Sequence, residues 1–213
     1  MAKTATAKTA TSSPASDGMR RNRDANVMAA AVEVMSERGY AATTIQEVAD
    51  RVGVLKGSLY HYFSSKEELL FRILEESHQQ NAEIVARVKA SESSALEELL
   101  EYLKQSAAWH LANVERANIF FTESRHLTGA RREKARQDSR NYLHYIQELL
   151  EKARTEGDVR EDIDVRLVTR FVLGALNNVR TWPPRSGSQI PAEDAVQAFT
   201  EMIKSSILPP RST

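Results

Sequence analysis

The chain has 213 residues, 41% of them hydrophobic, with no cysteine and with 29 basic residues against 29 acidic ones. That length and apolar content support one large or two small packed domains, and the absence of cysteine rules out disulfides and thiolate metal sites, in keeping with a reducing cytoplasm. No run of about 18 apolar residues is present, so no membrane span is expected. The zero net charge argues against nucleic acid until it is divided along the chain. Residues 1–66 hold 9 Lys/Arg against 6 Asp/Glu, and residues 67–213 hold 20 against 23. The first third is basic and the remainder acidic.

Residues 1–19 are rich in Ala, Thr and Ser, contain Pro14 and Gly18, and read as a disordered arm. Arg20, Arg21 and Arg23 at its end could reach phosphates or a minor groove; a solubilising tail is the other reading. Residues 1–10 lack the continuous apolar core of a signal peptide. A first helix is expected over 23–38, with Val27, Ala30, Ala31, Val34 and Met35 inward. The stretch TTIQEVADRVGVLKGSLYHYF (43–63) then has the form of a helix-turn-helix. Thr44 and Glu47 make a capping box. Ile45, Val48, Ala49 and Val52 form an apolar stripe, Gly53 ends the helix, and Val54 plugs the turn. Leu59 is the inward residue of a second short helix, with Phe63 just beyond it. That leaves Lys56, Gly57, Ser58, Tyr60 and His61 outward, a small, basic and hydrogen-bonding surface of the kind that approaches phosphates and base edges.

A fourth helix opens on a second capping box, Ser65-x-x-Glu68, and continues to about Lys89. It joins the basic third to the rest and so is the natural lever between them. Further helices are expected over 95–113, 116–128, 130–156, 165–182 and 191–208. On the last two, Val168, Phe171, Val172, Ala175, Leu176 and Val179 form one apolar stripe, and Val196, Phe199, Ile203 and Ile207 another. Two such helices per subunit would make a four-helix dimer interface. A homodimer also follows from the DNA side, because two recognition helices must reach half-sites about 34 Å apart. The fold class is therefore all-α, about nine helices in all: a three-helix helix-turn-helix domain over 20–66 and a helical domain carrying the dimer stripes over 67–213, the latter being the ligand-binding and dimerisation domain that the family resemblance given below implies.

No phosphate-binding glycine loop, GxSxG elbow or HExxH motif occurs. The five histidines (His61, His78, His110, His126, His144) are scattered without carboxylates at ligand spacing, so neither a metal site nor a cofactor is expected. Between Arg116 and Arg140 stand seven Lys/Arg against three Asp/Glu. Arg132, Arg136 and Arg140 are spaced i, i+4, i+8, where like charges repel and an anionic ligand would relieve them. On charge alone, a solvated face neutralised by Glu123, Glu133 and Asp138 is the favoured reading.

Residues 23–70 closely resemble the DNA-binding domain of the TetR/AcrR family of bacterial transcriptional regulators. The resemblance runs through Gly39-Tyr40, Thr43-Thr44, Ala49, Gly53-Val54, Leu59-Tyr60, Phe63 and Ser65-Lys66-Glu67-Glu68-Leu69. It implies that Thr43, Thr44, Leu55, Lys56, Gly57, Ser58, Tyr60, His61, Tyr62 and Lys66 face double-stranded operator DNA, with Tyr60, Tyr62 and Lys66 at phosphates. Leu55 departs from the usual Ser or Thr; the lost cap should cost about 1 kcal/mol, and the apolar side chain could meet a thymine methyl. GALNNVRTWPPRSG (174–187) resembles a segment of the acyl-CoA-responsive branch of that family, through Leu176, Asn177, Trp182, Pro184 and Gly187. Asn178 and Pro183 replace a Trp and an aromatic. Glu123-x-Arg125-x-Leu127 and Arg140-x-Tyr142 are similar to that branch too. The resemblance implies a repressor of lipid, fatty-acid or steroid catabolism genes, released by an acyl-CoA thioester. Trp109, Phe120, Phe121, Asn177, Asn178 and Trp182 would serve the acyl and pantetheine parts, and Arg116, Arg125, Arg131, Arg132, Arg136 and Arg140 the phosphates. The alternatives are an efflux or detoxification repressor with a drug-like or aromatic effector, and, outside the family, an all-helical enzyme or interaction module.

Overall fold

The computed structural model describes residues 14–182 and 190–210, with side chains from residue 23 onward. Within them are nine α-helices and no strand: α1 (Pro14–Ala42), α2 (Ile45–Val52), α3 (Lys56–Leu59), α4 (Lys66–Lys89), α5 (Ala95–Ala112), α6 (Val114–Glu123), α7 (Gly129–Glu156), α8 (Val165–Asn178) and α9 (Ala192–Ile207). Short 3₁₀ turns extend α6 over Ser124–His126 and α8 over Val179–Thr181. No described helix is long and apolar enough to cross a membrane.

Two apolar cores divide the molecule. The lower one gathers Val27, Ala31, Val34 and Met35 of α1, Ile45, Val48 and Ala49 of α2, Leu59, Phe63, and Leu69, Leu70, Ile73 and Leu74 of α4. The body completes it from outside with Ile119, Leu127 and Ala135. The upper core gathers Ile84 and Val88 of α4 with Leu99, Tyr102 and Leu103 of α5 and Ile146, Leu149 and Leu150 of α7; Val172, Leu176, Phe199, Ile203 and Ile207 come from α8 and α9. Helix α4 runs through both. At 24 residues and 1.5 Å per residue it spans about 36 Å.

Local chemistry fixes the starts and stops. The Thr44–Glu47 box forms as expected, and a further box, Ser94–Glu97, opens α5; each cap is worth about 1 kcal/mol. At α4 only half of the expected box forms. Ser65 accepts from the Glu68 amide, but the Glu68 carboxylate takes the amide of Ser64 at 2.8 Å and its hydroxyl instead of reaching Ser65. Glu68 thereby ties down the turn that precedes its helix.

Several expected boundaries move. Helix α1 begins at Pro14, inside the stretch expected to be a disordered arm; proline suits a first helical turn because its missing N–H has no partner there anyway. Residues 1–13 and the side chains of Arg20 and Arg21 lie outside the description. Gly39, at φ 75° and ψ 159°, breaks α1 just before its end. Helix α6 ends at Glu123 and not near residue 128, and α8 ends at Asn178 and not near 182.

The expected dimer stripes face the subunit's own core. Val172, Val179, Phe199, Ile203 and Ile207 are almost fully buried within one chain, and Val196 nearly so; Val168 and Ala175 are half-buried. Periodicity reports which residues share a face and not which body that face meets. Of the expected set only Phe171 is exposed, at 59%, and beside it on the outer faces stand Leu167 and Asn178 of α8 and Met202 of α9.

Candidate DNA interface and effector chamber

The putting-together of the DNA face begins with the turn between α2 and α3. Gly53 takes the left-handed conformation (φ 76°, ψ 33°), and the Val54 amide closes the helix end on the Ala49 carbonyl at 3.0 Å. Leu59 and Phe63 are buried and anchor the single turn of α3. Leu55, Lys56, Gly57, Ser58, Tyr60 and His61 are exposed beside one another, with Leu55 81% exposed and lacking any side-chain cap. Thr44 also reaches the surface, its hydroxyl and amide both donating to Glu47 Oε2 at 2.9 Å.

Three residues expected at DNA are placed otherwise. Thr43 is buried, and its hydroxyl donates to the Gly39 carbonyl at 2.9 Å. Tyr62 is half-buried against the lower core. Lys66 directs its ammonium at the carbonyls of Tyr40, Ala41 and Thr43, at 2.9, 3.0 and 2.9 Å, and lies 4.6 Å from the Tyr40 ring centre. An ammonium has three N–H donors, so Lys66 is committed to closing the open carbonyl end of α1. Arg72, absent from the sequence reading, does related work: it bonds Asp24 at 2.6 Å and the Tyr62 carbonyl at 3.1 Å, fastening α4 to α1 and to the turn after α3.

The body holds a part-open chamber of about 340 Å³. Ser77, His78, Asn81 and Ile84 of α4 line it, with Tyr102, Ser106, Trp109 and His110 of α5; Phe120, Phe121 and Ser124; Ser139, Tyr142 and Leu143 of α7; and Leu173, Leu176 and Asn177 of α8. None of these carries a carboxylate, ammonium or guanidinium. The two histidines are neutral at pH 7. Burial pulls His78 down to about 4 and His110 likewise to about 4. His110 Nδ1–H donates to the Leu176 carbonyl at 3.0 Å. Tyr142 donates to the His78 carbonyl at 2.9 Å, and its oxygen stands 3.0 Å from His78 Nδ1. A larger depression of about 530 Å³ lies outside α4 and α7 and shares His78 and Tyr142 with the chamber. Its wall mixes Glu75, Asp138 and Glu148 with Lys89 and Lys134, a charge pattern that selects no one ligand sign.

Of the expected effector residues, Trp109, Phe120, Phe121 and Asn177 meet in the chamber. The others do not line it. Arg116 pairs with Glu76 at 2.9 Å and Arg140 with Glu133 at 2.6 Å. Arg131 is drawn to Glu68 at 3.6 Å, while Arg125, Arg132 and Arg136 are on the surface. Spacing of i, i+4, i+8 aligns the α7 arginines, and the inward face of that helix is instead the one bearing Ser139, Tyr142 and Leu143. Asn178 is exposed, and Trp182 packs edge-on to Phe199 at 6.1 Å. Pro183, Pro184 and Gly187 lie outside the described residues.

A cation beside the chamber went unread in the sequence. Arg180 lies 4.7 Å from the centre of the Phe121 ring, donates from Nε to Asn118 at 2.8 Å, and donates to the Asn177 carbonyl. Desolvation lowers its pKa and no carboxylate opposes that shift; an arginine stays charged regardless. Its anchor, Asn118, is 62 positions away, so spacing within the chain holds no signal for it.

One turn of α6 joins the two regions. Ile119 is buried in the lower core, Phe120 packs against that core and lines the chamber, and Phe121 and Ser124 line the chamber alone. Below that turn, Thr128 donates its amide and hydroxyl to Glu67 at 2.8 and 3.0 Å, and His126 stacks on Tyr40 at 4.9 Å.

Residues 27–73 match the bacterial regulatory proteins of the tetR family, and residues 92–207 match the tetracycline repressor-like C-terminal domain. The chain is 29% identical over 207 residues to the HTH-type transcriptional repressor KstR2 of Rhodococcus jostii, covering 93% of this chain and 98% of that protein. Among solved structures, the ketosteroid transcriptional regulator KstR2 of Mycobacterium tuberculosis superposes with a TM-score of 0.81 at 26% identity, over 88% of this chain and 96% of that one. AibR, solved with isovaleryl coenzyme A and operator DNA, shares the fold with a TM-score of 0.76 at 22% identity, over 84% and 97% of the two chains.

Proposed function

The chain belongs to the TetR family of bacterial regulatory proteins, and from that premise we propose that it is a dimeric, cytoplasmic transcriptional repressor released from its operator by an acyl-CoA thioester. The observation that carries the reading is the chamber. It is bounded by neutral side chains, has one unopposed guanidinium beside it, and shares the Phe120 turn with the core that holds the DNA-reading helices. An acyl group fills an apolar chamber, and the anionic nucleotide half needs a cation at its edge. Arg180 supplies that cation in place of the α7 arginines. Two of the relatives carry names on the side of lipid and steroid metabolism, the fatty acid metabolism regulator protein of Bacillus subtilis and the ketosteroid regulator KstR2 of Mycobacterium tuberculosis. Family membership also sets the enzyme reading aside.

The coupling follows from the packing. A ligand that moves Phe120 moves the turn bearing Ile119, and with it the surface on which α1 and α4 rest. Interiors pack at crystal-like density, so such a shift is passed on and not absorbed. By linkage, the ligand weakens DNA binding by the factor by which DNA weakens ligand binding. Dimerisation uses the outer faces, where Leu167 and Phe171 of α8 and Met202 of α9 stand exposed.

Fluorescence anisotropy on an operator selected from random DNA tests the proposal. A CoA thioester should release the operator, while free CoA and the free acid do so poorly, because each offers half of the ligand. Arg180→Gln should weaken thioester response and leave operator affinity unchanged. Equal release by an uncharged lipophile would replace this reading with the efflux alternative.

A further inference from the structure

Two residues at the start of α3 weaken the protein around them for no reason that lies inside it. Leu55 stands just before the helix, where no side-chain hydrogen bond closes the first turn; a Ser or Thr there would supply one. It is 81% exposed and joins neither apolar core, although its neighbour Val54 packs against the lower one. Two positions on, Gly57 sits inside the single turn of α3, where glycine is a poor helix former. Its φ is not positive, and an added Cβ meets nothing within 4 Å. Neither the turn nor the packing requires glycine there. Both residues are exposed beside Lys56, Ser58, Tyr60 and His61.

The neighbours narrow what can lie opposite. Lys56, Ser58 and His61 flank Leu55 and Gly57 with hydrogen-bonding groups. The other large apolar side chains exposed among the described residues, Tyr60 apart, belong to α8 and α9 or are Ile190. This surface is therefore no apolar patch for another protein. A leucine has no donor or acceptor, so it distinguishes bases only where a base edge presents an apolar group. In the major groove that group is the 5-methyl of thymine. A helix-turn-helix brings the N-terminal residues of its second helix to base edges, and a position without a Cβ lets backbone come close to a ligand. Resting on the operator-binding reading above, we propose that Leu55 is a specificity-determining residue that reads the 5-methyl group of one thymine in each operator half-site, with the bare backbone at Gly57 giving it the approach it needs. The preference is for the methyl and not for the hydrogen-bonding pattern of the base pair.

Binding to an operator selected from random DNA, with each thymine replaced in turn by uracil, tests the proposal. Uracil pairs as thymine does and lacks only the methyl. One position in each half-site should stand out: affinity should fall about fourfold with uracil there in one half-site and about fifteenfold with uracil in both, the scale of one buried methyl per subunit. Leu55→Ser restores a cap, so it should melt at or above the parent's temperature, bind thymine and uracil equally at that position, and keep its sensitivity elsewhere. Gly57→Ala should also melt higher, and should bind the thymine and uracil operators alike more weakly, by roughly tenfold, the scale of one intruding methyl in a packed contact. A selected operator in which no uracil substitution matters overturns the inference, as does a uracil penalty that survives in Leu55→Ser or a Gly57→Ala variant with the parent's affinity. Enrichment of no duplex at all overturns the operator-binding reading, and this inference with it.

Discussion

The lower and upper halves of this molecule differ in how tightly some of their inward polar groups are tied. In the DNA-binding half, polar side chains close on backbone: Thr43 on the Gly39 carbonyl, Lys66 on three carbonyls, Arg72 on Tyr62. In the body, His110 and Tyr142 also close on backbone, at 3.0 and 2.9 Å, but Asn81, Tyr102 and Ser106 meet one another only at 3.3–3.4 Å. A reader of DNA gains from being set before its target arrives. A sensor gains from contacts that its ligand completes, since only a difference in interaction between two states can shift an equilibrium.

The largest effect expected separates the subunit core from the surface between subunits. Phe199 is 1% exposed inside the body, so Phe199→Ala should cost about 3–5 kcal/mol. Phe199→Glu should cost more and give unfolded chains, not folded monomers. Phe171→Glu, on the outer face of α8, should give folded monomers. Thermal unfolding and sedimentation read the two outcomes, and a folded, monomeric Phe199→Glu variant would return α9 to the interface.

Acid should separate the halves next. His78 and His110 titrate near 4 in the folded chain against an ordinary value of 6.5. Between those values the unfolded chain binds more protons, so the body should lose up to a few kcal/mol as pH falls from about 6.5 to 4. Below that the two histidines add nothing further. In the lower half, hydrogen bonds from Thr44, Thr128 and Ser64 hold Glu47, Glu67 and Glu68 below their ordinary 4.5. Their contribution is present above 4.5 and fades as pH falls through the lowered values. Hydrogen exchange at pH 5 should therefore show body amides losing protection while those of α1–α3 keep it; uniform loss would mean that the halves respond as one.

Lys66→Met should cost about 2 kcal/mol, the range for hydrogen bonds made by a charged group. Operator affinity should fall through a loosened α1 end, with the salt slope unchanged. A lysine held at a phosphate would instead lower that slope by about one contact, so the slope decides between the placements. The smallest effect belongs to the pair Arg136→Gln and Arg140→Gln. Both lie outside the chamber, and thioester response should stay within about twofold of the parent, as surface changes away from packed features do. A loss of response would put the phosphates of the ligand on α7 after all.

What the sequence disclosed divides along the same line. The helix-turn-helix was legible because Thr44, Glu47, Gly53, Leu59 and Phe63 act on neighbours within a few positions, where residue type and geometry are directly linked. The family was legible for the same reason. Lys66 was not, because its acceptors precede it by 23 to 26 positions. The chamber draws on α4 through α8, from Ser77 to Asn177. Three aromatic residues, Trp109, Phe120 and Phe121, and Asn177 marked four of its positions, while Asn81, Tyr102 and Ser106 resemble any half-polar helix face. The α8 and α9 stripes were apolar as read but belong to the inside of the subunit, a distinction that periodicity does not encode.

The turn at Gly53 makes the aim of the reading helix a matter of handedness. At φ 76° and ψ 33° the backbone there is the mirror image of an ordinary helical residue. Space is not the obstacle to a side chain, since an added Cβ meets nothing within 4 Å. An L-alanine would still be strained by about 1–2 kcal/mol, because its chirality disfavours that region. A D-alanine would be at home in the same turn, and by restricting the unfolded chain it should stabilise the native one by about 0.4–1 kcal/mol. The direction in which the exposed Leu55, Lys56, Ser58, Tyr60 and His61 point is thus set at the one position in that turn where the chain has no stereocentre.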